Sequence, residues 1–280
     1  MLSYRHAYHA GNHADVLKHL VLVNSLRYLR RKEAPFCYVD SHAAAGGYSL
    51  KSGEAQKRCE YQSGIGKLWQ QSTLPECLQD YRTLVAKFNG TEALARYPGS
   101  PWLAANVMAA RDQLWLHELH NAEVVNLRAA FRGDRRVKVV HGDGYQGVVS
   151  LMPPKQRRGL VLIDPSYEIK SEYQQVIDLL IKAHRRFATG VFALWYPVVD
   201  RQYVNRLEKG LIASGIKRIQ LYELGVRADS KDYGMTGSGM VVINSPWGLQ
   251  ESMPQALPYL ADLLGVGGEG YFRIETLAGE

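Results

Sequence analysis

Phe36-Cys37-Tyr38-Val39-Asp40-Ser41-His42-Ala43-Ala44-Ala45-Gly46-Gly47 is the stretch on which the fold turns. Four apolar residues run into an acid, and small residues follow. A run this short, preceded by Pro35, reads as a strand buried on both faces. The small residues after it let a backbone approach a ligand closely. A dinucleotide-binding sheet would carry Gly-x-Gly-x-x-Gly at this point, and Ala43-Ala44-Ala45-Gly46-Gly47 does not match it.

Similar runs recur at Leu114–Glu118, Val137–Val140, Leu160–Asp164, Gly190–Tyr196, Arg218–Leu224 and Gly239–Asn244, making seven expected strands. Helical periodicity lies between most of them, as in Glu172–His184 and Gln202–Ser214. Ahead of the first strand, Val16, Leu17, Leu20, Val23, Leu26 and Leu29 recur at spacings of three and four from Asp15 onward, a helix stopped by Pro35. Strands alternating with helices predict an α/β fold, a mostly parallel sheet covered on both faces. The gap from residue 40 to residue 114 exceeds the roughly 30 residues of a simple βαβ unit. Residues 48–98 therefore read as an inserted helical subdomain (helices expected at Gly64–Gln71 and Glu76–Phe88), and residues 1–47 and 99–280 as the main domain.

The chain has 280 residues and a formal charge of +7, which favours a polyanionic partner such as nucleic acid. Its three cysteines, Cys37, Cys59 and Cys77, have no CxxC spacing, so neither a disulfide framework nor a zinc site is expected. The polar, His-rich N-terminus lacks an apolar signal core, and no stretch is long enough to span a membrane. A cytoplasmic monomer is the expectation.

Open α/β sheets bind ligands at the carboxyl ends of their strands. Here those ends offer, in order, Asp40 and His42, then His117-Glu118, then His141-Gly142-Asp143-Gly144, then Asp164-Pro165-Ser166-Tyr167. Glu118 can accept both hydroxyls of an adenosine ribose. Asp143 can accept from an adenine amino group. Taken in order, these ends match the class I, Rossmann-like sheet of S-adenosylmethionine-dependent methyltransferases. Asp164-Pro165-Ser166-Tyr167 resembles the (Asp/Asn/Ser)-Pro-Pro-aromatic motif of amino-methyltransferases. An adenine amino nitrogen is a poor nucleophile, because its lone pair is delocalised into the ring. The Asp164 carboxylate and the Pro165 carbonyl can hold its two hydrogens, Tyr167 can stack on the base, and Asp164 can take the released proton. Asn244-Ser245-Pro246-Trp247 also resembles the motif, but it follows the seventh strand, and a carboxamide is the weaker proton acceptor. His6, His9, His13 and His19 lack a metal-site pattern, so no metal is expected. Tyr4, Arg5, His6 and Lys18 are candidate contacts for RNA.

Several longer blocks are more specific: Ser3-Tyr4-Arg5-His6, Ala10 through His19, Tyr97-Pro98-Gly99-Ser100-Pro101, Arg158 through Tyr167, Phe187-Ala188-Thr189-Gly190, Ala193-Leu194-Trp195-Tyr196-Pro197 and Gly234-Met235-Thr236. By these the chain closely resembles, over nearly its whole length, the RlmJ family of 23S ribosomal RNA adenine-N6 methyltransferases. The resemblance implies S-adenosylmethionine as cofactor, and naked or partly assembled 23S ribosomal RNA as substrate. It also implies cofactor contacts at His19, His42, Ser100, Glu118, Asp143, Gly144 and Asp164, with Asp164 the catalytic acceptor. Tyr4 falls where the family meets RNA. Two positions depart from the family pattern. Ser166 replaces a second proline, and Ala44 replaces a loop glycine, which at positive φ would cost on the order of 1 kcal/mol. The alternative is a nucleic-acid-binding protein linked to use of external DNA, without methyl transfer. No nuclease-like cluster of carboxylates supports DNA degradation.

Overall fold

The computed structural model describes residues 5–230, 232 and 234–280. Its main sheet has eight strands: β1 (Cys37–Asp40), β2 (Gln113–Glu118), β3 (Val137–His141), β4 (Gly159–Ile163), β5 (Val191–Val198), β6 (Ile219–Gly225), β7 (Gly237–Ile243) and β8 (Tyr271–Ala278). Their spatial order is β8-β6-β7-β5-β4-β1-β2-β3. From β3 to β5 every pairing is parallel, whereas β7 runs antiparallel to both β5 and β6, and β8 antiparallel to β6. The seven expected strands are all present. The eighth, β8, is an edge strand that mixes Arg273 and Glu275 with Phe272 and Ile274, so no apolar run marks it.

Period-two alternation explains why the inner strands read as unbroken apolar runs. Leu160 and Leu162 of β4 join the core on one face, and Val161 and Ile163 join the core on the other. The first face is covered by the helices His13–Arg30, Ser100–Val107 and Trp247–Leu264, and the second by Glu172–Arg186 and Arg201–Ala213. The helix His13–Arg30 begins two residues before the expected Asp15. Asn12 caps it by accepting from the Asp15 N–H at 3.0 Å. Almost every turn of it is buried, from Ala14 to Leu29, against the sheet and its two neighbouring helices. Each fully buried Leu or Val there contributes about 1.5–3 kcal/mol.

After β1 the chain makes a detour. Gly47–Ser49 pairs antiparallel with Arg96–Pro98, and Gly47 stands opposite Pro98. Between them lie the helices Gly53–Arg58, Glu60–Ser63, Ile65–Trp69 and Glu76–Asn89. The strand order reverses between β1 and β4, and the carboxyl ends of strands at such a reversal are where open α/β sheets bind ligands. Among the described residues, no helix is long and apolar enough to cross a membrane.

Candidate active site at the strand tips

The loop after β1 ties the strand tips together. The Ser41 N–H donates to the Leu162 carbonyl of β4 at 3.0 Å, and the Ala43 N–H to the His117 carbonyl of β2 at 2.9 Å. The Asp164 N–H reaches the Ser41 hydroxyl at 3.4 Å. The helix Gly144–Leu151 starts directly against this loop. A Cβ on Gly144 would collide with the Ser41 carbonyl, so only glycine lets the two backbones meet. Asp40, Glu118, Asp143 and Asp164 are thereby gathered around one loop.

Asp164 follows β4 and its side chain is 13% exposed. One carboxylate oxygen, Oδ2, accepts from Lys18 Nζ at 2.6 Å. Lys18, on the buried helix His13–Arg30, also pairs with Asp15 Oδ1 at 2.9 Å. Asp15 Oδ2 in turn binds His6 Nε2 at 2.9 Å and accepts from the Gly11 N–H at 2.9 Å. Burial pushes the Asp164 carboxyl up to about 6, against the pull of Lys18. Burial works against the charge of Asp15 too, yet His6 and Lys18 hold it well below the ordinary carboxylate range. Desolvation opposes the charge of Lys18, and its two carboxylates overcome that and raise its pKa. The outcome is a hydrogen-bonded chain, His6–Asp15–Lys18–Asp164, ending at the tip of β4. Lys18 and His6, read from sequence as contacts for RNA, here anchor that chain. Asp15 escaped sequence reasoning because it stands in helical register with apolar residues, and nothing local reveals a partner 146 residues beyond Lys18.

The remaining candidates surround the same loop. Glu118 accepts from the Ala44 N–H at 2.7 Å and from the His120 N–H at 2.6 Å. Burial raises its pKa against those two bonds. A carboxylate has about four acceptor sites, so two remain for a ligand. Ala44 sits at φ +47°, the left-handed geometry that favours glycine. His42 bonds Ser41 Oγ through Nδ1 at 2.7 Å and meets the Tyr145 ring edge-on at 5.3 Å. Burial lowers its pKa to about 4, so the ring is neutral. Asp143 is exposed and caps the helix Gly144–Leu151, accepting from the Tyr145 N–H at 2.8 Å. Ser100 donates to Asp40 Oδ2 at 2.7 Å, beside the Tyr38 hydroxyl, and so lies just behind the loop. His19 lies deeper, 2% exposed, with Nδ1 at 2.8 Å from the Tyr97 hydroxyl, which meets the Tyr81 hydroxyl at 2.6 Å. Burial lowers the His19 pKa to about 3.

Pro165 is buried, and Tyr167 adopts φ +54°. The Tyr167 hydroxyl donates to the Trp195 carbonyl at 2.9 Å, which anchors the ring beside Asp164. Trp195 stands under the Lys18 ammonium, 5.8 Å from ring centroid to Nζ. The Trp195 Nε1 and the Tyr145 hydroxyl are both buried without a hydrogen-bond partner. Unpaired polar atoms of this kind at a strand tip fit a polar ligand. Tyr4 lies outside the described residues.

The second motif, Asn244-Ser245-Pro246-Trp247, is at the opposite end of the strands. β7 is antiparallel to β5, with Ile243 opposite Phe192, so Asn244 comes out where β5 begins. Its amide donates to the carbonyls of Ala188 and Gly190, both at 2.8 Å. Among the described residues, no three His, Cys, Asp or Glu side chains come together as a metal site would.

The segment between Gly47 and Pro98 reaches this site through residues 9–12. Glu60 accepts from Asn12 Nδ2 at 3.0 Å and binds His9 Nδ1 at 3.0 Å. The Ile65 N–H donates to the Gly11 carbonyl at 2.8 Å. These bonds fix the turn that leads into the helix carrying Lys18.

This strand order, with polar groups collected where it reverses, is that of a class I S-adenosylmethionine-dependent methyltransferase. The family described as "Ribosomal RNA large subunit methyltransferase D, RlmJ" matches residues 33–277. The "Ribosomal RNA large subunit methyltransferase J" of Haemophilus influenzae is 48% identical over 100% of both chains. The protein of the same name from Escherichia coli (strain K12) is 46% identical, again over 100% of both. A crystal structure of a Legionella pneumophila protein is similar at a TM-score of 0.89 and 33% identity, covering 96% of this chain and 98% of that one. The chain belongs to the RlmJ family of ribosomal RNA large subunit methyltransferases.

Proposed function

We propose that this protein transfers a methyl group from S-adenosylmethionine to the N6 amino nitrogen of an adenine in 23S ribosomal RNA. The observation that carries the reading is the Asp164 carboxylate, held at 2.6 Å by Lys18 on the tip of β4 in a chain of this family. S-adenosylmethionine, when bound, supplies an electrophilic methyl carbon on a sulfonium. Glu118 would take the ribose hydroxyls, His42 and Asp143 the adenine end, and Gly144 the close backbone approach. The two unpaired polar atoms, on Tyr145 and Trp195, suit such a polar occupant.

The other groups act on the incoming base. Lys18 occupies Asp164 Oδ2, which leaves Oδ1 to accept one hydrogen of the adenine amine. The Pro165 carbonyl accepts the second hydrogen. Holding both turns the nitrogen lone pair out of conjugation and toward the methyl carbon. Tyr167, pinned to the Trp195 carbonyl, offers a ring face to the base. Asp164 then takes the proton that the amine releases, and with a pKa of about 6 it is ionised and ready at neutral pH. The target adenine must be unpaired or flipped out, because its amino group has to enter the loop.

The test uses an unmethylated 23S ribosomal RNA transcript and S-adenosylmethionine with a labelled methyl group. Digestion to nucleosides and mass spectrometry should recover N6-methyladenosine from the wild type. The Asp164→Asn variant should lose about a hundredfold or more in rate, while calorimetry finds cofactor affinity within a few-fold. Label on another atom or another polymer, or full activity in Asp164→Asn, would overturn the reading.

A further inference from the structure

A row of rings leads away from the catalytic loop. Trp195 lies 5.9 Å from Tyr167, Tyr167 lies 4.5 Å from Tyr173, and Tyr173 stacks on Tyr203 at 5.2 Å with only 20° between planes. All four residues are half-buried, and Trp195 turns its Nε1 inward. Two exposed cations finish the row, with Lys170 Nζ 5.4 Å and the Arg206 guanidinium 5.7 Å from the Tyr203 centroid. Beside it, the loops after β4 and β5 present Ile169 and Val199, exposed by 61% and 46%. Helix packing alone accounts for the Tyr173–Tyr203 pair. It does not account for two exposed cations against the outermost ring, or for two bare aliphatic side chains in the loops that follow β4 and β5.

We infer that this row is a docking track for the single-stranded nucleotides that flank the target adenine. Unstacked RNA bases are recognised by stacking on aromatic rings and guanidinium planes, and their phosphates by Lys and Arg. The track begins at Tyr167, where the target base is read, and runs about two more rings outward, the reach of one or two neighbouring nucleotides. Glu168, Glu172 and Asp200 lie along its flank. Stacking therefore supplies most of the binding here, and Lys170 with Arg206 supplies phosphate contacts at the far end only. The inference rests on the RNA methyltransferase reading and adds to it where the flanking strand lies.

Three variants test it against the unmethylated 23S transcript: Tyr203→Leu, Tyr203→Phe, and Lys170→Ala combined with Arg206→Ala. Tyr203→Leu should raise KM for RNA about five- to a hundredfold, with kcat at saturating RNA and affinity for S-adenosylmethionine unchanged. Tyr203→Phe keeps the ring and should stay near wild type. The double cation variant alters only exposed side chains, so it folds even if Tyr203→Leu does not. It should lower the slope of log affinity against log salt by about 0.7 for each phosphate that is no longer neutralised. Wild-type KM in Tyr203→Leu, together with an unchanged salt slope in the double variant, would overturn the track. A wild type that places no methyl on the transcript is a different result, and it removes the methyltransferase reading instead.

Discussion

Replacing Lys18 by methionine separates two roles that this residue can play. Lys18 is 4% exposed, and its ammonium is divided between Asp15 and Asp164. An adjacent cation ordinarily lowers a carboxyl pKa by about one to three units. Asp164 already stands at about 6 with Lys18 in place, because burial outweighs that pull. In Lys18→Met the same carboxyl should therefore titrate roughly one to three units higher. Only the ionised carboxylate accepts a proton, so activity rises with pH through the Asp164 pKa and levels above it. At pH 7 the ionised fraction would fall from roughly nine-tenths to about a tenth for a two-unit shift, a loss of about tenfold in single-turnover rate. Raising the pH to about 9 should restore most of it. The assay is a single-turnover pH profile on saturating RNA, with cofactor affinity measured in parallel. A rate that drops equally at every pH, with its acidic limb still near 6, would refute the argument. It would return Lys18 to the role of an RNA contact.

Other outcomes follow from the loop after β1. Ala44 holds φ +47°, which costs a non-glycine residue about 1–2 kcal/mol. Ala44→Gly recovers this less about 0.5–1 kcal/mol of backbone entropy, so the melting temperature should stay level or rise by up to about 4 °C; a lower melting temperature would contradict the strain. Glu118→Gln removes the charge offered to the ribose and leaves one oxygen for the two N–H groups, of Ala44 and His120, that the carboxylate accepts. Calorimetry should show S-adenosylmethionine binding weakened by about ten- to a hundredfold, and unchanged affinity would remove Glu118 from the cofactor site.

The sheet was legible because its inner strands are buried on both faces. Val161 and Ile163 meet one core while Leu160 and Leu162 meet the other, so the sequence shows a run rather than an alternation. β8 was hidden by the opposite circumstance. It lies at the sheet edge, where Arg273 can reach Glu208 and Glu223 and is favoured over another apolar side chain. At the site, Asp164 was legible because a proline and an aromatic residue mark the loop that presents it. Its electrostatic partner was not, since Lys18 reads locally as one polar residue in a helix. The links from Glu60 to His9 and Asn12 were equally silent: bonds across about fifty residues leave no spacing to count. Ala44 shows a middle case. Its departure from the family pattern was visible, and the positive φ that gives the departure an energetic meaning came only with the backbone.

The detour between Gly47 and Pro98 leaves and rejoins its host through paired neighbours. A segment whose two ends already touch adds little chain-closure cost to its host. Its removal is another matter. Excision would take away the carboxylate that fixes His9 and Asn12, the N–H that satisfies the Gly11 carbonyl, and the tyrosines that hold His19. The helix that delivers Lys18 would lose its mooring at the end nearest the chemistry. The short closure at Gly47 and Pro98 and the long reach of Glu60 and Ile65 thus pull in opposite directions: the segment is separable by its ends and bound in by its middle.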